Sequence, residues 1–170
     1  MAQPASSSAL RAVPGEYLCF KVSGEAFAVP IGQVQEVLAL PAVTAVPEAP
    51  AFIRGVFPLR GIVMPLLDLA GRLGLASQAA GRESCAVVVR AVRDNVGLVL
   101  AVQVDEILDV SEFAAAELTP PPDFGVRIES RFLLGMHRDA KDALIALLDL
   151  ECILSRDELS VAAAIAGNRG

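Results

Sequence analysis

The sequence predicts a mainly β protein made of two similar small barrels of about five strands each. Three observations carry this reading. First, the apolar content is 54% but aromatics make up only 5%, with no Trp. The core must therefore be Val, Leu, Ile and Ala, and the many Val favour strands. Second, FIRGVFPLRGIVMPLLDL, residues 52–69, sets two apolar runs around Pro58-Leu59-Arg60-Gly61. Proline presets φ and glycine takes positive φ at no steric cost, so the stretch reads as strand-turn-strand with Arg60 at its tip. Third, the chain echoes itself. QVQEVLAL from residue 33 returns as QVDEILDV from residue 103, an offset of 70, and LLDL from residue 66 returns from residue 147, an offset of 81. Two echoes in the same order, each bracketing a proline-bearing loop and a glycine (Gly55, Gly135), indicate a duplicated unit. Neither half can bury a large core alone, so the two should share an apolar face.

The elements follow in order. Residues up to about Gly15 are small and polar and read as a disordered tail. Tyr17–Val22 is a strand, Ser23-Gly24-Glu25 a turn, and Ala26–Val29 the returning strand. Gln33–Leu40 alternates and puts Glu36 on the same parity as Val34 and Leu38. A carboxylate on an apolar face wants a partner, and Arg60 is a candidate. Pro41–Pro50 is a loop, and the central hairpin follows. Ala70–Gly81 reads as a helix end and connector, the best boundary between halves, near 71–83. Ser84–Val92 is a strand and Arg93-Asp94-Asn95 a turn. Val96–Val110 is one long strand or two with a bend. Ser111–Leu118 reads as a short helix and Thr119–Pro122 as a loop. Phe132–His137 and Ala143–Leu150 form a second hairpin around a charged turn at 138–142. Residues 151–166 are helical by composition. The two hairpin tips differ in sequence although the cores match, which points to the tips as the functional parts.

Composition excludes several classes. A net charge of −6 argues against binding nucleic-acid phosphates or an anionic membrane. No apolar run reaches the roughly 18 residues of a spanning helix, and the N-terminus lacks a signal-peptide core. A soluble cytoplasmic protein is the expectation. Cys19, Cys85 and Cys152 lie far apart without a C-x-x-C pair, as in a reducing compartment, and the lone His137 offers no zinc site.

No catalytic motif rises above background. There is no G-x-S-x-G, P-loop or H-E-x-x-H. Asp68 and Asp149 each follow an apolar strand and could form a carboxylate pair in a cleft between barrels, but helix N-caps explain them better. Asp105, Glu106 and Asp109 read as a solvated strand face. His137 reads as a loop or strand-end residue, and Gly55, Gly61 and Gly135 as turn glycines.

Taken together, these residues resemble the CheW-like domain family of bacterial chemosensory coupling proteins. The likeness covers about 16–154 and rests on residues 17–20 (YLCF), 27–29 (FAV) and 34–37 (VQEV). It continues through 46–50 (VPEAP), 52–56 (FIRGV), 59–63 (LRGIV), Pro65, Asp68-Leu69, Val104-Asp105, Pro120–Pro122 and Leu134-Gly135. The resemblance implies two interlocked five-stranded barrels of the SH3-like kind, with a few short helices, spanning 16–155 as a single domain between a tail at 1–15 and a C-terminal helix or tail at 156–170. It implies a non-enzymatic adaptor without cofactor or metal, monomeric in isolation. Its partners would be the regulatory domain of a CheA-type histidine kinase and the cytoplasmic tip of methyl-accepting chemoreceptors. Residue by residue, Glu36 and Arg60 match a charged pair at the interaction surface. Val34, Ile107 and Val110 match apolar receptor-contact positions, and Gly55 and Gly61 match turn glycines near the kinase contact. The chain departs from the family pattern at Pro58, where Asn is usual before Leu-Arg-Gly, in a longer strand over 96–104, and in the charged segment 138–142. Diverged members serve pilus-motility or other chemosensory-like pathways, the alternative reading.

Overall fold

The computed structural model describes residues 10–93, 95–121, 128–138, 141 and 143–153. Among the described residues, eleven strands fall into two sheets. In chain order they are β1 (Gly15–Val22), β2 (Glu25–Pro30), β3 (Val34–Ala39), β4 (Ile53–Leu59), β5 (Ile62–Asp68), β6 (Cys85–Arg93), β7 (Val96–Val104), β8 (Glu106–Phe113), β9 (Leu118–Thr119), β10 (Leu133–Arg138) and β11 (Leu144–Leu148). Two short helices, α1 (Leu69–Leu73) and α2 (Leu150–Ile153), follow β5 and β11.

The sheets are ordered β8-β1-β2-β11-β10-β9 and β3-β6-β7-β5-β4. Position for position these are one pattern used twice. In both, a hairpin pairs antiparallel and its second strand runs parallel to a crossover strand, β2 with β11 and β7 with β5. The repeat extends to single bonds. The Asp68 amide donates to the Phe52 carbonyl, and the Asp149 amide to the Phe132 carbonyl. Registers shift at Ile53/Gly55 and at Leu133/Gly135. One connection pattern thus occurs twice, and strands on either side of the connector at 71–83 mix in both sheets. β1 and β2 join the sheet of β8–β11, while β6 and β7 complete the sheet of β3–β5. Each half is finished by a strand pair from the other. The strand counts are six and five rather than five each, the sixth being the two-residue β9.

Burial follows the pleat. Along β6, Ala86 and Val88 point to one side, and Val87, Val89 and Ala91 to the other. The first set joins Phe57, Met64, Leu66 and Ala101 on the inner face of the five-stranded sheet. Tyr17, Cys19, Ala28, Phe113, Leu118 and Leu147 fill the corresponding face of the six-stranded sheet. Between the sheets lies the largest cluster, where Phe20, Phe27, Leu67, Leu69, Leu100, Phe132, Leu148 and Ile153 are all nearly fully buried. This is the shared Val- and Leu-rich face that the duplication demands, and both short helices cap it.

Several expectations change. The tail shortens, because Ala12 is buried and residues 11 and 12 bond the Leu134 carbonyl. Residues 111–113 continue β8, since Phe113 stacks on Tyr17 at 5.1 Å. Only Ala115–Glu117 form a single 3-10 turn before β9, which takes Thr119 out of the loop. Leu150 begins α2 instead of ending a strand. His137 stands next to last in β10, near the strand end expected, but is buried there and stacked on Phe113 at 3.8 Å. The bend in 96–110 falls at Asp105, whose carboxylate accepts the Ser23 amide at 2.7 Å and ties down the β1–β2 turn. Residues 139, 140 and 142 of the charged turn and the C-terminal helix beyond 153 lie outside the described residues.

Leu100 contributes no exposed surface and sits in the shared cluster. Leu100→Ala is expected to cost about 3 kcal/mol through lost burial and a residual cavity. Because both sheets line that cluster, urea unfolding of the variant should remain one transition. Two separated transitions would contradict a shared core.

Candidate functional site

The β4–β5 hairpin turns on two residues. Leu59 pairs with Ile62, leaving Arg60 at φ 51° and Gly61 at φ 80°. Positive φ at both central positions is the type I′ turn, whose twist matches that of the flanking strands. Nothing lies within 4 Å of where a Gly61 Cβ would be, so glycine is needed there for conformation and not for space. Pro58 is not part of this turn. It lies in β4, paired with Val63, and β4 is an edge strand, where a missing N–H is tolerated.

The Arg60 guanidinium reaches across to β3 and clasps Glu36. Nη1 donates to Oε2 and Nη2 to Oε1, the latter at 2.7 Å. Both strands are edges or next to edges: β3 ends the five-stranded sheet on one side, and the β4–β5 hairpin ends it on the other. The bidentate fork thus joins the two margins of the sheet. The partner that the parity of Glu36 called for is in place. Hydrogen bonding to Arg60 holds the Glu36 carboxyl below its ordinary range, with burial opposing and the guanidinium charge assisting. The same bond raises Arg60. Arg60 remains 67% exposed and Glu36 25%, so the guanidinium presents an open face to the outside.

Beside the pair lies an apolar cleft of about 180 Å³ formed by Leu59, Ile62, Val63, Val88 and Val99. Ile62 is 55% exposed. The guanidinium and the accessible aliphatic side chains thus form one continuous surface. The sequence reading missed Ile62 and Leu59, although an apolar residue directly after a turn glycine was the available signal.

The structure brings Glu36, Arg60 and Gly61 together in this tip. Gly55 lies toward the other end of β4 and is not a turn glycine. A Cβ there would stand 2.4 Å from the Thr44 carbonyl oxygen, where residue 44 bridges Val56. Val34 and Ile107 are half-buried against the shared core, opposite Val89 and Phe20. Val110 is exposed on edge strand β8.

The carboxylates weighed for catalysis are committed elsewhere. Asp149 accepts the Glu151 and Cys152 amides at 3.1 and 3.3 Å, the predicted N-cap of α2, and pairs with Arg11. Asp68 occupies the N-cap position of α1 but makes no cap bond. Its side chain accepts the Ser77 hydroxyl at 2.6 Å and faces Arg54 at 3.4 Å. No metal-binding cluster exists among the described residues.

Two outcomes are expected. Gly55→Ala should destabilise by about 2 kcal/mol or more, because the clash is with backbone; an unchanged urea midpoint would contradict the close approach. The Glu36–Arg60 pair should follow acid titration of Glu36. With its folded value depressed, its contribution is complete above the ordinary glutamate value of 4.5 and fades as pH falls through the lowered one. The stability difference between wild type and Glu36→Gln should therefore close on acidification, and in Arg60→Ala the Glu36 resonance should titrate in the ordinary range.

Comparison with known proteins agrees with this geometry. The family model described as CheW-like domain matches residues 16–158. The chemotaxis protein CheW of Klebsiella aerogenes is 32% identical over 146 residues, covering 86% of this chain and 85% of that protein. Protein FrzA of Myxococcus xanthus is 33% identical over 125 residues, covering 71% and 72%. The crystal structure of the scaffolding protein TtCheW from Thermoanaerobacter tengcongensis superposes with a TM-score of 0.74 at 24% identity, over 86% of this chain and 92% of that one. The strand exchange, the duplicated sheets and the family match over most of the chain place this protein in the CheW-like domain family.

Proposed function

We propose that this protein is a chemosensory coupling adaptor whose β4–β5 tip is its principal contact with a CheA-type histidine kinase or with the cytoplasmic tip of a methyl-accepting chemoreceptor. The observation that carries this is the Glu36–Arg60 fork, open to the outside beside the Leu59–Ile62 aliphatic patch. The partner would meet a fixed cation on a rigid I′ turn, with apolar surface to bury around it. Val110 on β8 offers a second exposed contact. Val34 and Ile107 would contribute through the apolar margin they share with the core.

The action is bridging without chemistry, and the commitment of Asp68 and Asp149 to structural partners supports that reading. No helix among the described residues is long and apolar enough to cross a membrane. A cytoplasmic adaptor, recruited to receptor arrays by its partners, fits this. The similarity to FrzA supports a second reading, in which the same tip serves a pilus-motility or other chemosensory-like pathway.

Arg60→Glu tests the proposal. In co-sedimentation with receptor signalling fragments and a CheA-type kinase, the variant should bind at least roughly tenfold more weakly, as befits loss of a hot-spot residue. Its thermal melt should stay near that of wild type. Undiminished binding, or a variant that unfolds, would overturn the assignment. Wild-type binding only to components of a pilus-type system would favour the second reading.

A further inference from the structure

The segment before β1 is held in an unusual way. The Arg11 and Ala12 amides both donate to the Leu134 carbonyl on β10, at 2.8 and 2.9 Å. The Arg11 guanidinium donates to the Leu133 carbonyl at 2.8 Å, to the Arg131 carbonyl at 3.2 Å, and to the Asp149 carboxylate. Apolar anchoring is slight. Ala12 is buried, but Leu10 is 43% exposed and Val13 65%. Below the segment lies Gly135, where a Cβ would stand 2.7 Å from Leu10 Cδ1 and 3.2 Å from Ala12 Cβ.

The duplicated half explains why this arrangement is separable from the fold. Asp68, the counterpart of Asp149, faces the guanidinium of Arg54, which β4 itself supplies. At the matching place on β10 stands Leu134, so that half borrows its arginine from the N-terminal segment. An element fixed by polar contacts and one buried methyl can open locally without global unfolding.

We propose that residues 10–14 form a strap that closes over β10, latched by the Arg11–Asp149 ion pair and released when that pair is broken or screened. Release frees the Leu134 carbonyl and the small apolar seat of Ala12 beside Leu118 and Leu147. It leaves the Glu36–Arg60 tip on the other sheet untouched, so the strap makes the six-stranded sheet separately responsive.

Limited tryptic cleavage of the full chain tests this, with cleavage after Arg11 followed by mass spectrometry. Asp149→Asn keeps an N-cap acceptor for α2 but removes the latch charge. At low salt, cleavage after Arg11 should be slow in wild type and at least roughly tenfold faster in Asp149→Asn, and about 1 M salt should bring wild type toward the variant because Arg11 is partly exposed. Arg11→Lys, which keeps the tryptic site but loses the fork, gives the same readout should Asp149→Asn melt early. Equal, fast cleavage in all three would show that there is no strap. Slow cleavage in all three at every salt concentration would show that the ion pair is not the latch.

Discussion

Everything in this structure depends on the apolar cluster trapped between the two sheets. Neither half of the duplicated sequence owns a complete sheet. β1 and β2 are lent to the second half, β6 and β7 to the first, and the cluster around Leu67, Leu100, Phe132 and Leu148 is where the loans meet. A chain of 170 residues with few aromatics reaches an adequate core this way, because two thin sheets enclose three apolar clusters, one between them and one on the far face of each. The same exchange makes the scaffold rigid where it must be, since no half can move without opening the common core.

Against that scaffold the duplicates diverge at their margins. The glycines that let a neighbouring strand approach, Gly55 beside Thr44 and Gly135 beside Thr119, are kept in both. So is an aspartate after the crossover strand, although Asp149 caps its helix while Asp68 turns to Ser77 and Arg54. The arginine facing each aspartate comes from different places. The β4–β5 tip carries a fork to Glu36 that ties together the margins of its sheet. An adaptor needs this division: a duplicated, interlocked interior that resists deformation, and unlike exteriors that present different contacts.

Much of this was legible in the sequence, for physical reasons. Strand positions followed from Val-rich alternation, and the duplication from two ordered echoes. The carboxylate of Glu36 on an apolar parity announced the need for a cation, and the tip arginine was the candidate the structure confirmed as its partner. What the sequence could not show depended on distant pairing. Pro58 looked like a turn residue because proline and glycine punctuate turns, but an edge strand tolerates it. Gly55 looked like a turn glycine because nothing local reveals that the residue 44 carbonyl lies against it. Residues 111–113 looked helical until stacking of Phe113 on Tyr17 drew them into β8. The polar N-terminus looked disordered because its anchor, Asp149, is 138 residues away.

In the proposed adaptor, Arg60 serves a partner and not merely Glu36. Reversing the pair, Glu36→Arg with Arg60→Glu, separates the two roles, because it restores the ion pair across the sheet while inverting the charge at the exposed tip. The measurement is receptor- and kinase-dependent co-sedimentation of this double variant. The expected result is a protein as stable as wild type that does not couple. Recovery of coupling in the double variant would contradict it, and would reduce the pair to a brace that holds the sheet closed.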